Sequence, residues 1–267
     1  MEAKSEGACA LWQRQLVEPL LQRDPVLQLI ATTYAMCPDR YELETRLIVI
    51  ERDRVQSDIP GEDFALIVEH YSKNQQAFDE DAVRMWYTVL DLSYPEHLRK
   101  RVQQVGGGEH KKQKVEWVHK QVVLHKDFRV VNRPLGIRVS LKLEIALPPP
   151  AWAQRPMAPM ALKAERAPAC SLVRNTTRSS FREGVTQIDL SVTWQARDEA
   201  KANNQHTTAR YQVEVELCAR DEFRVAYATS EDVVAACERA RCHVGTLLLR
   251  TMQLIGLDRD VALIPLI

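Results

Sequence analysis

Five segments of this chain alternate apolar residues with charged ones, and the charges are sorted by type from strand to strand. In an extended strand, residues i, i+2 and i+4 share one face. Glu42, Glu44 and Arg46 therefore share a face opposite Leu43, Leu47 and Val49. Gln212, Glu214 and Glu216 stand opposite Val213, Val215 and Leu217. Between these segments, Arg138, Ser140, Lys142 and Glu144 form one row, Arg174, Thr176, Arg178 and Ser180 another, and Gln187, Asp189 and Ser191 a third. A single such strand is a solvated sheet face. Glutamates set side by side repel, and solubility does not call for two Glu-x-Glu pairs. The rows make sense if the strands close into a barrel with a polar lumen, glutamates around a divalent cation and arginines around an anion.

The rest of the 267-residue chain agrees with an α+β fold of that kind, a closed antiparallel β-barrel with a charged lumen, buttressed by helices at both chain ends. Apolar spacing predicts helices over 8–22 and 26–36, Pro25 standing at a first turn. A further short helix is expected over 62–73. Strands are expected over 41–50, 83–94, 114–124, 128–131, 137–147, 171–181, 187–194 and 209–217. Residues 148–168, rich in proline and alanine, read as an extended loop, and 198–206 as a mobile connection. A terminal helix is expected over 229–256, with Ser230 as its cap. One domain covers 1–267: a helical segment to 40, tunnel strands over 41–217, and the closing helix.

Thirty-six basic and thirty-six acidic residues cancel, so any affinity for a polyanion must come from local sorting of charge. No apolar run reaches the length of a membrane span, and the polar N-terminus carries no secretory pattern, so no membrane is expected. The six cysteines lack CxxC spacing and read as reduced thiols. His119 and His125 are the one histidine pair that strand alternation places together on one face, and the histidines read as surface or structural groups. Paired carboxylates with no His or Cys cluster favour Mg²⁺ or Mn²⁺. Arginine's planar fork suits phosphate oxygens. Together they suit metal-assisted hydrolysis of a phosphoanhydride.

The same residues resemble the triphosphate tunnel metalloenzymes, specifically the metal-dependent RNA 5′-triphosphatases of mRNA capping in fungi and protozoa, the free-standing trypanosomatid enzymes included. Glu42 to Arg46 is similar to the first Glu-x-Glu motif of that family, and Tyr211 to Leu217 to the second. Gly136 to Glu144 resembles a tunnel strand that supplies a phosphate-contacting arginine. Arg174 to Phe181 resembles the Arg-x-Lys-x-Arg-x-Ser-aromatic motif, with Thr176 where lysine is usual. Lys142, Lys163 and Arg166 are the residues that could make up that loss. Ile188 to Val192 resembles the Ile-Asp-Leu-Thr strand.

The resemblance implies that Glu42, Glu44 and Glu216 ligate Mn²⁺ or Mg²⁺ and that Glu214 orients or activates the attacking water. Arg138 and Arg178, named with the four glutamates as catalytic, also bind phosphate with Arg46, Lys142 and Arg174. Glu144, Asp189 and Ser191 position these groups. It further implies 5′-triphosphate RNA as substrate, hydrolysis of nucleoside triphosphates, a capping guanylyltransferase as partner, and action in the nucleus. A homodimer stays open through the apolar excess of the terminal helix. Two other readings stand beside it: a hydrolase of inorganic tripolyphosphate or thiamine triphosphate on the same fold, and a barrel that binds polyphosphate without cleaving it. The first is disfavoured by Arg46, which replaces the lysine of a Glu-x-Glu-x-Lys start.

Overall fold

The computed structural model describes residues 17–52, 54–73, 84–105, 112–154, 168–183, 185–202, 208–218, 233–255 and 263–266. Helices α1 (Glu18–Arg23) and α2 (Pro25–Met36) lead into the sheet. Asp24 separates them. Its carboxylate accepts from the backbone N–H of Val26 at 2.9 Å and of Leu27 at 3.0 Å, while Pro25 takes the first-turn position that needs no donor.

Strands β1 (Tyr41–Glu51) and β2 (Arg54–Gln56) come next, then α3 (Gly61–Lys73). The strands β3 (Arg84–Ser93), β4 (Leu98–Val105), β5 (Lys112–Val130) and β6 (Leu135–Leu147) follow, with a short helix α4 (Ala151–Gln154) after them. The order closes with β7 (Leu172–Glu183), β8 (Thr186–Ala196), α5 (Glu199–Ala202), β9 (Arg210–Leu217), α6 (Val233–Leu254) and β10 (Leu263–Pro265).

Every strand pairing is antiparallel. The path β5-β4-β3-β7-β8-β9-β1-β6 returns to β5, so eight strands close a barrel and leave no open edge around its girth. The 19-residue β5 makes closure possible: its first half pairs with β4 and its second half with β6. A register shift between Val122 and Leu124 bends it on the way. Gly136 sits where β6 passes closest to its neighbours. A Cβ there would lie 2.5 Å from the carbonyl oxygen of Phe128, and only glycine fits.

The apolar half of the alternation points outward, the reverse of a filled small barrel. Leu43 and Leu47 of β1, Ile137, Val139 and Leu141 of β6, and Val213 and Val215 of β9 are buried in one core. Leu27, Ile30 and Tyr34 of α2 and Val244, Leu247, Leu248 and Met252 of α6 complete that core from outside. Helix α3 packs on β9, with Phe64 stacked on Tyr211 at 5.1 Å between ring centroids. The helices thus supply the hydrophobic side of the fold, and the lumen is left to polar groups. No helix of the described residues is long and apolar enough to cross a membrane.

Several expectations change. Strand β4 and the three-residue β2 and β10 were not anticipated, and the segments expected over 114–124 and 128–131 are one continuous strand. The connection expected to be mobile contains α5, with Ala202 buried. The shift in β5 moves His119 and His125 apart: His119 pairs with Ile145 and His125 with Ser140, residues on opposite faces of β6. The stretches 1–16, 155–167 and 229–232, with their expected helix start, loop and Ser230 cap, lie outside the described residues, as do Lys163 and Arg166.

Candidate active site inside the barrel

The barrel encloses a cavity of about 680 Å³. Nine basic and five acidic side chains of the described residues line it, so a chain of zero net charge has sorted an excess of positive charge into its lumen.

The register of β1, β6 and β9 explains the carboxylates. Glu44 stands opposite Glu216 and Arg46 opposite Glu214 across β1 and β9, while Glu42 pairs with Lys142 and Glu44 with Ser140 across β1 and β6. The two Glu-x-Glu pairs, about 170 residues apart in sequence, are therefore neighbours on adjacent strands. Glu42, Glu44 and Glu216 each offer an oxygen, and these oxygens lie within 4.8 Å of one another. A second, overlapping trio is formed by Asp189, Glu214 and Glu216.

These groups are taken out of water, which makes their charges expensive unless compensated. Burial, with Glu42 and Asp189 close by, pushes the Glu216 carboxyl well above the ordinary range. Burial would raise Glu42 as well, but the ammonium groups of Lys120 and Lys142 outweigh it and hold Glu42 well below that range. Glu42 and Glu216 thus meet as two carboxylates whose proton affinities are driven apart. Both oxygens of Glu44 are buried; Lys142 forms an ion pair with one, and Arg46 lies 3.7 Å from the other. A divalent cation fits this donor set. It would offset the mutual repulsion of the three converging carboxylates, and an all-oxygen site suits a hard ion.

Cations surround the carboxylates. Lys120 contacts Glu42 and lies 2.8 Å from Glu144. Lys142 contacts Glu44 and lies 3.9 Å from Glu214. Arg46 pairs with Glu214. Arg178 donates to Asp189 at 2.7 Å and to Ser191 at 3.0 Å, and lies 3.5 Å from Glu214. Asp189 in turn accepts from Ser180 at 2.5 Å and Gln187 at 2.9 Å. Asp189 and Ser191, both fully buried, thus sit beneath Arg178 and fix its fork toward the lumen. Arg101 bridges Asp91 at 3.3 Å and Glu144 at 3.4 Å.

Of the residues singled out in the sequence, the barrel brings together Glu42, Glu44, Arg46, Lys142, Glu144, Arg174, Arg178, Asp189, Ser191, Glu214 and Glu216. Arg138 is placed elsewhere. It shares the lumen face with Arg46, but Asp127 binds its guanidinium through two hydrogen bonds of 2.7 Å, and Arg138 does not line the cavity. Arg101 and Lys120 do line it. The sequence reading passed over both. Arg99, Lys100 and Arg101 are consecutive cations that mask the alternation of β4, and Lys120 falls in a strand whose Val118 and Val122 look apolar. Thr176 is buried and its hydroxyl lies 3.0 Å from that of Thr193.

A family model described as mRNA capping enzyme, beta chain, matches residues 65–239. Two solved structures of the S. pombe Pct1 RNA triphosphatase share the fold. One aligns with a TM-score of 0.59 at 17% identity, covering 86% of this chain and 90% of that one. The other, in complex with the Spt5 CTD, aligns with a TM-score of 0.58 at 18% identity over the same shares. No curated protein matches the chain.

Proposed function

This chain belongs to the mRNA capping enzyme beta-chain family and is an RNA 5′-triphosphatase, and we propose that Glu42, Glu44 and Glu216 hold a Mn²⁺ or Mg²⁺ ion for that reaction. The convergence of these three carboxylates inside a ring of lysines and arginines carries the reading. When bound, such an ion draws charge from a γ-phosphate oxygen and makes the phosphorus easier to attack.

The protein's own side chains do the remaining work. Arg178, held by Asp189 and Ser191, and Arg101, held by Asp91 and Glu144, present fixed guanidinium groups to the phosphates. Charge that develops on the β–γ bridging oxygen meets donors that need no rearrangement. Glu214 is buried and faces Arg46, Arg178 and Lys142. An acceptor held among these cations is suited to orienting the attacking water. Lys120 and Lys142 offset the negative charge of the glutamates while the substrate enters. The products are diphosphate-ended RNA and inorganic phosphate. Free nucleoside triphosphates carry the same reacting group and are further proposed substrates. The diphosphate end is what a guanylyltransferase consumes, so such an enzyme is the proposed partner and the nucleus the proposed site of action.

The test is phosphate release from γ-labelled triphosphate RNA and from ATP, each with Mg²⁺, Mn²⁺ or EDTA. Metal-dependent release, lost in Glu216→Ala with a native melting profile, is the expected result. Release that survives both EDTA and Glu216→Ala would remove the metal from the proposal.

A further inference from the structure

Along β7 the inward row runs from Arg174 near the strand's start, through Arg178, to Arg182 near its end. Register fixes which mouth each serves. Arg174 stands opposite Gln195 and Arg210 opposite Thr193, both at the end of β8, whereas Arg182 stands opposite Gln187 at its beginning. Arg174 and Arg210 therefore belong to one mouth and Arg182 to the other. Arg99 joins the first group: it lines the same cavity and is the foremost charged neighbour of Arg174.

This mouth carries more positive charge than the fold neutralises. Asp58 pairs with Arg210 at 3.4 Å, and Asp91, which stands directly opposite Arg174 across β3 and β7, is paired with Arg101 at 3.3 Å; no carboxylate of the described residues lies within ion-pair distance of Arg174 itself. Burial and the adjacent Arg99, with Arg46 and Arg210, outweigh the opposing Asp91 and hold the Arg174 guanidinium below its ordinary pKa. A cluster of this kind gains most from an anion that enters it. Arg174 and Arg178 are four strand residues apart, about 13 Å between backbone positions at about 3.3 Å per residue, so Arg174 is set nearer this end of the barrel than a phosphate gripped at Arg178 beside the carboxylates.

We propose that Arg99, Arg174 and Arg210 form a subsite for the α-phosphate and first internucleotide phosphate of the RNA, and that the chain passes through this mouth alone. The subsite rests on the RNA triphosphatase reading and gives it a direction: the terminal phosphate lies toward Glu216, and the nucleotides trail out past Arg210.

The test compares Arg174→Ala, Arg210→Ala and Arg182→Ala on a triphosphate-ended RNA oligonucleotide and on inorganic tripolyphosphate. For Arg174→Ala and Arg210→Ala, kcat/KM on RNA is expected to fall at least about tenfold further than on tripolyphosphate. The salt dependence on RNA should flatten by about 0.7 in log–log slope for each lost contact to a single strand. Arg182→Ala should move the two substrates together. Equal losses on both substrates in the first two variants would overturn the subsite. If wild-type protein cleaves neither substrate, the triphosphatase reading fails by itself, and anisotropy with labelled diphosphate-ended RNA decides the subsite: weaker binding by Arg174→Ala supports it, and unchanged binding overturns it.

Discussion

Arg178 on β7 reaches diagonally across to Asp189 on β8 and donates to it at 2.7 Å, with the carboxylate fully buried and the guanidinium turned into the lumen. Asp189 and its surroundings push the Arg178 pKa up, against the effect of burial, so the cation is locked in its charged form. The pair divides labour: one member meets the substrate, and the other sets its direction.

Arg178→Ala should therefore lower kcat on triphosphate RNA by about 10²-fold, the scale of losing one preorganised donor at a site of developing charge. Asp189→Asn keeps the shape but weakens the grip on Arg178. It should lower kcat by less than Arg178→Ala, and combining the two should cost little beyond Arg178→Ala alone. Additive losses in that double-mutant cycle would mean that Asp189 acts independently of Arg178.

Arg101 and Arg138 offer a sharper contrast, because the sequence singled out only the second. Arg101 lines the cavity and is held between Asp91 and Glu144, whereas Nε and Nη2 of Arg138 are both bound by Asp127 away from it. Arg101→Ala should reduce kcat/KM by about 10²-fold, and Arg138→Ala should cost at least about tenfold less than that. Steady-state kinetics on purified variants checks the order. A larger loss for Arg138→Ala would return Arg138 to the phosphate grip.

That contrast also shows what a sequence can carry. Alternation gives the face of a strand, so the inward rows of β1, β6, β7, β8 and β9 were legible, and with them the barrel and the facing Glu-x-Glu pairs. Depth along a tunnel is another matter. It depends on how far each tilted strand is shifted against the next, and only the register places Arg138 beyond the cavity while Arg101 and Lys120 lie within it. Parity itself fails at the irregularity after Val122, where one extra residue in β5 exchanges inside for outside. Three-residue strands such as β2 and β10 are too short to show a period at all.

The lumen is also anchored to the helical layer by a buried polar contact. Thr45, outward-facing on β1, lies 2.5 Å by its hydroxyl from that of Thr251 on α6, which in turn donates to the carbonyl of Leu247 at 2.8 Å. Thr45→Val would remove the bond between the two hydroxyls and leave Thr251 only its bond to the Leu247 carbonyl. A loss of about 0.5–1.5 kcal/mol in unfolding free energy is expected. Thr45→Val with Thr251→Val should recover part of it, since both polar groups are then gone. Chemical denaturation of the three variants reads the cycle, and a double variant that loses the full sum would argue against the contact.

His243 on α6 gives a pH dependence that is separate from catalysis. Burial, with Arg239 nearby, holds its imidazole below the ordinary histidine pKa of about 6.5. A base whose folded pKa is depressed binds its proton more readily when unfolded. Its contribution to stability is therefore complete above about pH 6.5 and is lost as pH falls through the lower folded value. Wild-type protein should melt at a lower temperature at pH 5.5 than at pH 7.5, partly through this group. His243→Gln cannot take up the proton, so the interval between its two melting temperatures should be smaller than in wild type, whatever the variant's absolute stability. An interval of equal size would show that His243 does not contribute to the acid sensitivity of the fold.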